Sequence, residues 1–329
     1  MPEQSGNGVL EEFRIEFLEC WHKLPNKALF LVLFAAWLAL FQFFGNPTLG
    51  YVKSASLMRW MLDAYHPAWQ FFDSDDGHGV LVPFLVLLLF WIKRKELMGA
   101  DIRAWPPALA LIGFALGLHV GAFMIQQPKI SIIALFGGIY GLMGLAWGPQ
   151  WLRRSLFPFF LLVFCIPLGT QGQTITTPLR HLVAIIVTAI AHLGIAPDLI
   201  RQGTQLMDAD QSFMYDIAPA CSGIRSLMVL LALTTIFGFL MFKTTWRRLL
   251  TVLAAFPLAV MGNVIRLTFT VLVAEMFGHE AGKNVEQKAG FVTFAVALVG
   301  VFLIERWLRE PPDRIDQPVS GAGLEVKPT

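Results

Sequence analysis

Lys243-Thr244-Thr245-Trp246-Arg247-Arg248 joins two apolar runs, 222–242 before it and 248–275 after it. Each run is long enough to cross a bilayer as a helix, which takes about 20 residues. Three cations in six residues mark the connection as cytoplasmic, because short loops rich in Lys and Arg stay inside. The first run therefore enters from the outer face, and the second returns to it. The same rule, applied outward from here, orders the rest of the chain. Lys23 and Lys27 precede a run at 28–45, Lys93-Arg94-Lys95 follow 78–93, and Arg153-Arg154 follow 130–148. Arg306 and Arg309 close a last run at 288–308. With further runs at 106–126 and 155–171, every basic cluster falls inside, and so do both ends of the chain.

Composition agrees with that layout. Of 329 residues, 56% are hydrophobic and 15% charged, with a mean hydropathy of +0.61. No soluble domain buries so much apolar sequence, so the fold class is an all-α polytopic membrane protein. A net charge of +2 gives little attraction for nucleic acid. Cys20, Cys165 and Cys221 are widely spaced and odd in number, which fits neither a disulfide framework nor a C-x-x-C metal site. Neither a metal nor a cofactor is expected. Residues 1–27 read as a cytoplasmic amphipathic segment carrying Phe13, Phe17, Cys20 and Trp21, with no cleavable signal pattern. Residues 28–309 form the transmembrane domain, and 310–329 a polar, disordered cytoplasmic tail.

One segment conflicts with a simple count. If 179–196 also crossed, the connection at 243–248 would be thrown outside. That segment carries Arg180, His181 and His192 and is flanked by Pro178 and Pro197. It is read as an outer-face interfacial or re-entrant helix, leaving about eight crossings. Residues 198–217, with Asp198, Asp208, Asp210, Asp216 and Tyr215, form an outer, strand-like insert.

This parity brings three chemically active residues to one face. Cys221 opens the 222–242 run, next to Ser222-Gly223 and one turn before Arg225. Arg266 follows Arg248 by eighteen residues, about 27 Å of helix at ~1.5 Å per residue, close to the ~30 Å of hydrocarbon. His279 lies in the short loop that follows. A thiol at a helix N-terminus or beside a cation ionises more readily. A histidine can carry its proton, and an arginine can hold an oxyanion or carboxylate bidentately. Each residue also has an ordinary reading. Cysteines in membranes fill small apolar spaces, as Cys165 does on this reading. Arg266 can snorkel to the interface, Arg225 can be an anchor, and His279 a surface residue. Asp73, Asp75 and Asp76 with His78 allow either a divalent-metal site or a solvated turn that leads into the second helix.

Taken together, these motifs resemble the exosortase/archaeosortase family of multi-pass membrane cysteine transpeptidases. The likeness covers roughly residues 70–305. It runs through Asp76-Gly77-His78-Gly79-Val80-Leu81-Val82-Pro83, Leu156-Phe157-Pro158-Phe159-Phe160-Leu161, Ile166-Pro167-Leu168 and Gly203-Thr204-Gln205-Leu206. Ala220-Cys221-Ser222-Gly223-Ile224-Arg225-Ser226 is its most specific block, followed by Asn263-Val264-Ile265-Arg266 and His279. The resemblance implies Cys221, Arg266 and His279 as catalytic residues, with Arg225, Ser222, Asn263 and His78 in support. It also implies substrates: secreted proteins ending in a sorting signal of a Pro-Glu-Pro-like motif, a transmembrane helix and a basic cluster. A Cys221 acyl-enzyme would be resolved by a lipid or polysaccharide acceptor. The expected location is the cell inner membrane, with the active site facing the periplasm. From the residues alone, a transporter or a scaffold of a polysaccharide export system is the competing function.

Overall fold

The apolar runs fold into a helical bundle whose two ends differ in charge. The computed structural model describes residues 7–48, 54–66, 74, 76–207, 214–216, 223–288 and 290–308. Cys221, Ser222, the side chain of Arg225 and the tail from 310 onward lie outside that description. In chain order the elements are α1 (Asn7–Lys23), α2 (Lys27–Phe44), α3 (Leu57–Tyr65), a 3₁₀ turn (Gly77–Val80) and α4 (Val82–Ile92). Next come α5 (Arg94–Met98), α6 (Ala108–Met124), α7 (Pro128–Trp147), α8 (Pro149–Phe160) and a 3₁₀ segment (Leu161–Cys165). After α9 (Thr170–Ala191), three short strands follow: β1 (Ile200–Gln202), β2 (Gln205–Met207) and β3 (Met214–Asp216). The chain then forms α10 (Gly223–Met241), α11 (Thr245–Leu253), α12 (Ala255–Phe277), α13 (His279–Lys288) and α14 (Gly290–Leu308). Among the described residues, Lys27–Phe44, Pro128–Trp147, Gln171–Ala191 and Thr245–Phe277 are long and apolar enough to cross a membrane, and three shorter apolar helices accompany them. The chain is an all-α membrane protein, and the described residues of its 198–217 insert form a small antiparallel sheet, β1-β2-β3.

Several element boundaries follow from local chemistry. Pro128 and Pro149 occupy the first turns of α7 and α8, where the missing N–H leaves no intrahelical bond unmade. Ser56 caps α3 by accepting from the Arg59 amide at 3.0 Å. Two sequence boundaries are corrected. The expected run 155–171 is α8 plus the 3₁₀ segment, which ends at Cys165. Nor does α9 start after Pro178: it begins at Thr170 and runs through that proline. The hydroxyls of Thr176 and Thr177 donate back to the Gly172 and Gln173 carbonyls, which helps keep this polar turn helical.

Packing fixes the direction of α10. At the basic end, Arg94 pairs with Glu16 of α1 at 2.5 Å, while Phe13 and Phe17 pack on Trp91. Lys93, Arg153, Arg154 and Arg248 surround one cavity at this end. Arg248 Nε donates to the Phe242 carbonyl at 2.7 Å, and Phe239 stacks on Phe157 at 4.3 Å, so α10 finishes here. At the opposite end, the Asp76 carboxylate accepts from the Leu168 and Gly169 amides at 2.9 and 3.0 Å. Lys129 Nζ reaches the Leu168 carbonyl and Gln171 Oε1, each at 2.7 Å. The turn Gly77–Val80 packs against α10, so α10 starts toward this opposite end. The segment between Thr170 and Gly223 thus leaves and returns at the same end, although α9 is itself long enough to cross.

Candidate active site

The second half of α12 carries a polar stripe on its buried face. Asn263, Arg266 and Thr270 lie three and four residues apart, so their side chains share one side of the helix. Asn263 and Arg266 are each 8% exposed and Thr270 is fully buried. Leu267, Val271 and Ala274 continue that face into an apolar cluster with Val183, Val187 and Ala191 of α9. An arginine this deeply buried needs a carboxylate, a ring of carbonyls or a bound anion. Among the described residues, Arg266 Nε and Nη2 are buried with no hydrogen-bond partner, as are Asn263 Oδ1 and Thr270 Oγ1.

A second, half-buried arginine stands on a neighbouring helix. Leu179 of α9 packs in a cluster with Leu258 and Ala259 of α12. Val183 and Val187, further along α9, pack with Leu267 and Val271. The two helices therefore run in the same direction, and Arg180 lies at the level between Ala259 and Leu267, the stretch of α12 that carries Asn263 and Arg266. Arg180 Nε and Nη2 are likewise buried with no hydrogen-bond partner among the described residues. Two like charges on neighbouring helices, with donors unfilled among the described residues, favour an anion at this level. Arg180 is the functional candidate that the sequence reading passed over. There it counted only as evidence against a crossing, yet an arginine in an apolar helix is a default candidate for a functional group.

The start of α10 reaches the same level. Gly238 packs against Arg248 and Thr251, which sets the register of the antiparallel α10/α11–α12 hairpin. Fifteen residues back along α10, and fifteen forward along its partner, bring Gly223 opposite residues 263–266. Arg225 lies in this first turn, one turn after the position of Cys221 in sequence.

His279 is not in a loop, as the sequence suggested: it opens α13. Gly278 takes φ +87°, a left-handed conformation that glycine adopts at little cost, and the chain reverses there. α13 then lies back along α12, with Gly282 against Ala274 and Thr270. That register puts His279 opposite residues 273–277, about 10–17 Å beyond Arg266 along the axis at ~1.5 Å per residue. Its Nδ1 is buried, and the ring has an interaction partner. His279 and Arg266 share an end of the bundle without sharing one hydrogen-bonded cluster.

The motif around His78 has a structural role that the sequence did not predict. Asp76 is 6% exposed rather than solvated, and both of its oxygens are taken by backbone amides. A carboxylate accepting two N–H groups holds them more firmly than a neutral acceptor would, so Asp76 fixes the strand of chain that launches α9. Ser74 Oγ donates to the Ala64 carbonyl at 3.0 Å. The Tyr65 hydroxyl donates to the Cys165 carbonyl, and burial raises the Tyr65 pKa far above its ordinary value, keeping it a neutral donor. His78 itself, in the turn Gly77–Val80, lies at the same end as the arginines and has a partner of its own. Among the described residues no group of three or more His, Cys, Asp or Glu side chains is arranged to hold a metal ion.

No curated protein matches the chain, and no solved structure does. The sequence model of the transmembrane exosortases matches residues 69–303, from just before the Asp76 turn to the middle of α14. A match over more than half of its length, taking in Asp76, Arg180, Arg266 and His279, makes this chain a member of the transmembrane exosortase family.

Proposed function

We propose that this protein is a membrane cysteine transpeptidase or protease that cuts the C-terminal sorting signal of secreted proteins at the outer face of the inner membrane. The observation that carries the reading is the buried Arg266 guanidinium, whose Nε and Nη2 have no hydrogen-bond partner among the described residues, level with the start of the helix that Cys221 precedes. With the basic end inside and α9 returning to its own face, the bundle has eight crossings and the arginines lie near the outer boundary. The Cys221 thiolate attacks the scissile carbonyl carbon, and the oxyanion that develops is held by Arg266 with Arg180 beside it. His279 gives a proton to the departing amine. A thioester is left on Cys221, and an acceptor nucleophile, a lipid or polysaccharide hydroxyl or amine, attacks it and releases the thiol. Asn263 orients the Arg266 side chain, and Ser222 and Arg225 support the nucleophile. Because His279 sits beyond Arg266 along α12, the substrate peptide lies between them, its oxygen toward the arginines and its leaving nitrogen toward α13.

The test follows maturation of a secreted protein bearing such a signal, in cells expressing well-inserted variants. Cys221→Ala and Cys221→Ser abolish maturation, whereas Cys165→Ala, at a buried thiol in the main apolar cluster, leaves it running. Normal maturation by Cys221→Ala would sink the covalent mechanism and leave a transport or scaffold role as the better account.

A further inference from the structure

The cavity at the basic end takes no part in the chemistry above, and its walls are of two kinds. It encloses about 560 Å³, within the range of ordinary small-ligand sites. On one side stand Lys93, Arg153, Arg154 and Arg248. The other side is apolar: Phe157 and Phe239 are stacked, and Leu156 and Phe160, at 56% and 54% exposed, form an open edge. In a helical bundle inside a bilayer, such an edge faces acyl chains rather than water.

The cationic side carries excess charge. Its one carboxylate among the described residues, Glu96, is paired with Lys93 at 3.2 Å. Arg154 donates to the Glu96 backbone carbonyl and Arg248 to that of Phe242. Both acceptors are neutral, and each bond uses one of the five N–H donors of a guanidinium. The Arg248 guanidinium also lies over the Phe239 ring, 4.8 Å from its centroid, which holds it at the junction of the two walls. Three guanidinium groups therefore face one space without a carboxylate of their own. A basic peptide is repelled there. A free phosphate would satisfy the cations and leave the apolar edge unused. A molecule with an anionic head and hydrocarbon tails uses both.

We infer that this cavity binds the phosphate-bearing headgroup of an anionic phospholipid, with its acyl chains running along Leu156 and Phe160. Basic pockets between transmembrane helices on the cytoplasmic side recognise such headgroups, at about 1 kcal/mol per cation near the surface. That is roughly a five-fold change in affinity for each cation lost.

The full-length protein in nanodiscs or mild detergent is titrated with phosphatidylglycerol and, separately, with phosphatidylcholine, with binding read by native mass spectrometry. Phosphatidylglycerol should bind well above phosphatidylcholine. Arg153→Gln/Arg154→Gln should weaken it by about 25-fold, and Arg153→Lys/Arg154→Lys should keep it within a few-fold, because charge rather than fork geometry is read. The lysine pair also separates a lost site from a misfolded protein. Adding inorganic phosphate at the same concentration should displace little lipid. Equal binding of the two lipids, unchanged binding in the glutamine pair, or full displacement by inorganic phosphate would each overturn the assignment.

Discussion

Replacing Arg266 with methionine should make the resting protein more stable while destroying its activity. The side chain is 8% exposed, and two of its N–H-bearing nitrogens have no acceptor among the described residues. An unsatisfied buried polar group costs about 1–3 kcal/mol. Exchanging a buried charge for a well-packed apolar group of similar length is neutral or favourable by about 1–4 kcal/mol. Methionine fills the channel that the aliphatic stem occupied, so no large cavity offsets the gain. Arg266→Met should therefore unfold about 1–4 kcal/mol later, which at roughly 2 °C per kcal/mol for a chain this long is an upward shift of about 2–8 °C. The ten tryptophans give a fluorescence signal for thermal unfolding in detergent, read at a fixed scan rate because membrane proteins unfold irreversibly. In parallel, substrate processing should fall by about 10²–10³, the loss typical of one oxyanion donor. The opposite sign refutes the reasoning. Removing one partner of a satisfied buried pair costs about 3–5 kcal/mol, so a clear drop in unfolding temperature would mean that Arg266 is neutralised inside the resting protein and is not held open for substrate.

Other outcomes follow from the same geometry. Arg266→Lys should process poorly, because an ammonium cannot reproduce the planar two-pronged donor; wild-type processing by that variant would reduce Arg266 to an anchor. His279→Ala should slow processing by about 10²–10⁴, with residual activity rising toward pH 8.5 as the Cys221 thiol ionises unaided (ordinary cysteine value about 8.5); an unchanged rate and pH profile would move the proton carrier elsewhere, with His78 next at that end. Asp76→Asn replaces two charge-assisted bonds with one neutral acceptor, and should lower stability by about 2–4 kcal/mol and loosen the start of α9, measurable as faster amide exchange at Leu168 and Gly169; unchanged exchange there would refute the clamp. Gly278→Ala forces a side chain into left-handed backbone at about 1–2 kcal/mol, and should lower both stability and processing by unseating α13; no change in either would mean that the reversal does not position His279.

Much of the bundle is legible in the residues themselves. A run of some 20 apolar residues in a bilayer has one way to satisfy its backbone, as a helix, and clustered Lys and Arg mark the ends expected to stay inside. Lys243, Arg247 and Arg248 alone give the direction of α10 and α12, and Cys221, Arg266 and His279 stand out because polar chemistry is scarce between such runs. What sequence could not decide is how α9 lies. Its length and composition permit a crossing, and only the contacts of Leu168, Lys129 and Asp76 at its start, with Leu179 and Val187 along α12, fix its direction relative to the other helices. Asp76 reads as a loop acid until a segment some ninety residues away brings two amides to it. Arg180 acquires meaning only beside Arg266, since hydrophobic periodicity says which face of a helix is buried but not which neighbour covers it. The reversal at Gly278 turns a polar stretch into a helix packed along α12, a long-range fit that no local propensity encodes. Local propensity and hydropathy depend on a residue and its near neighbours, so they can be read along the chain. Which buried charges meet depends on helix register across the bundle, and only tertiary packing sets that.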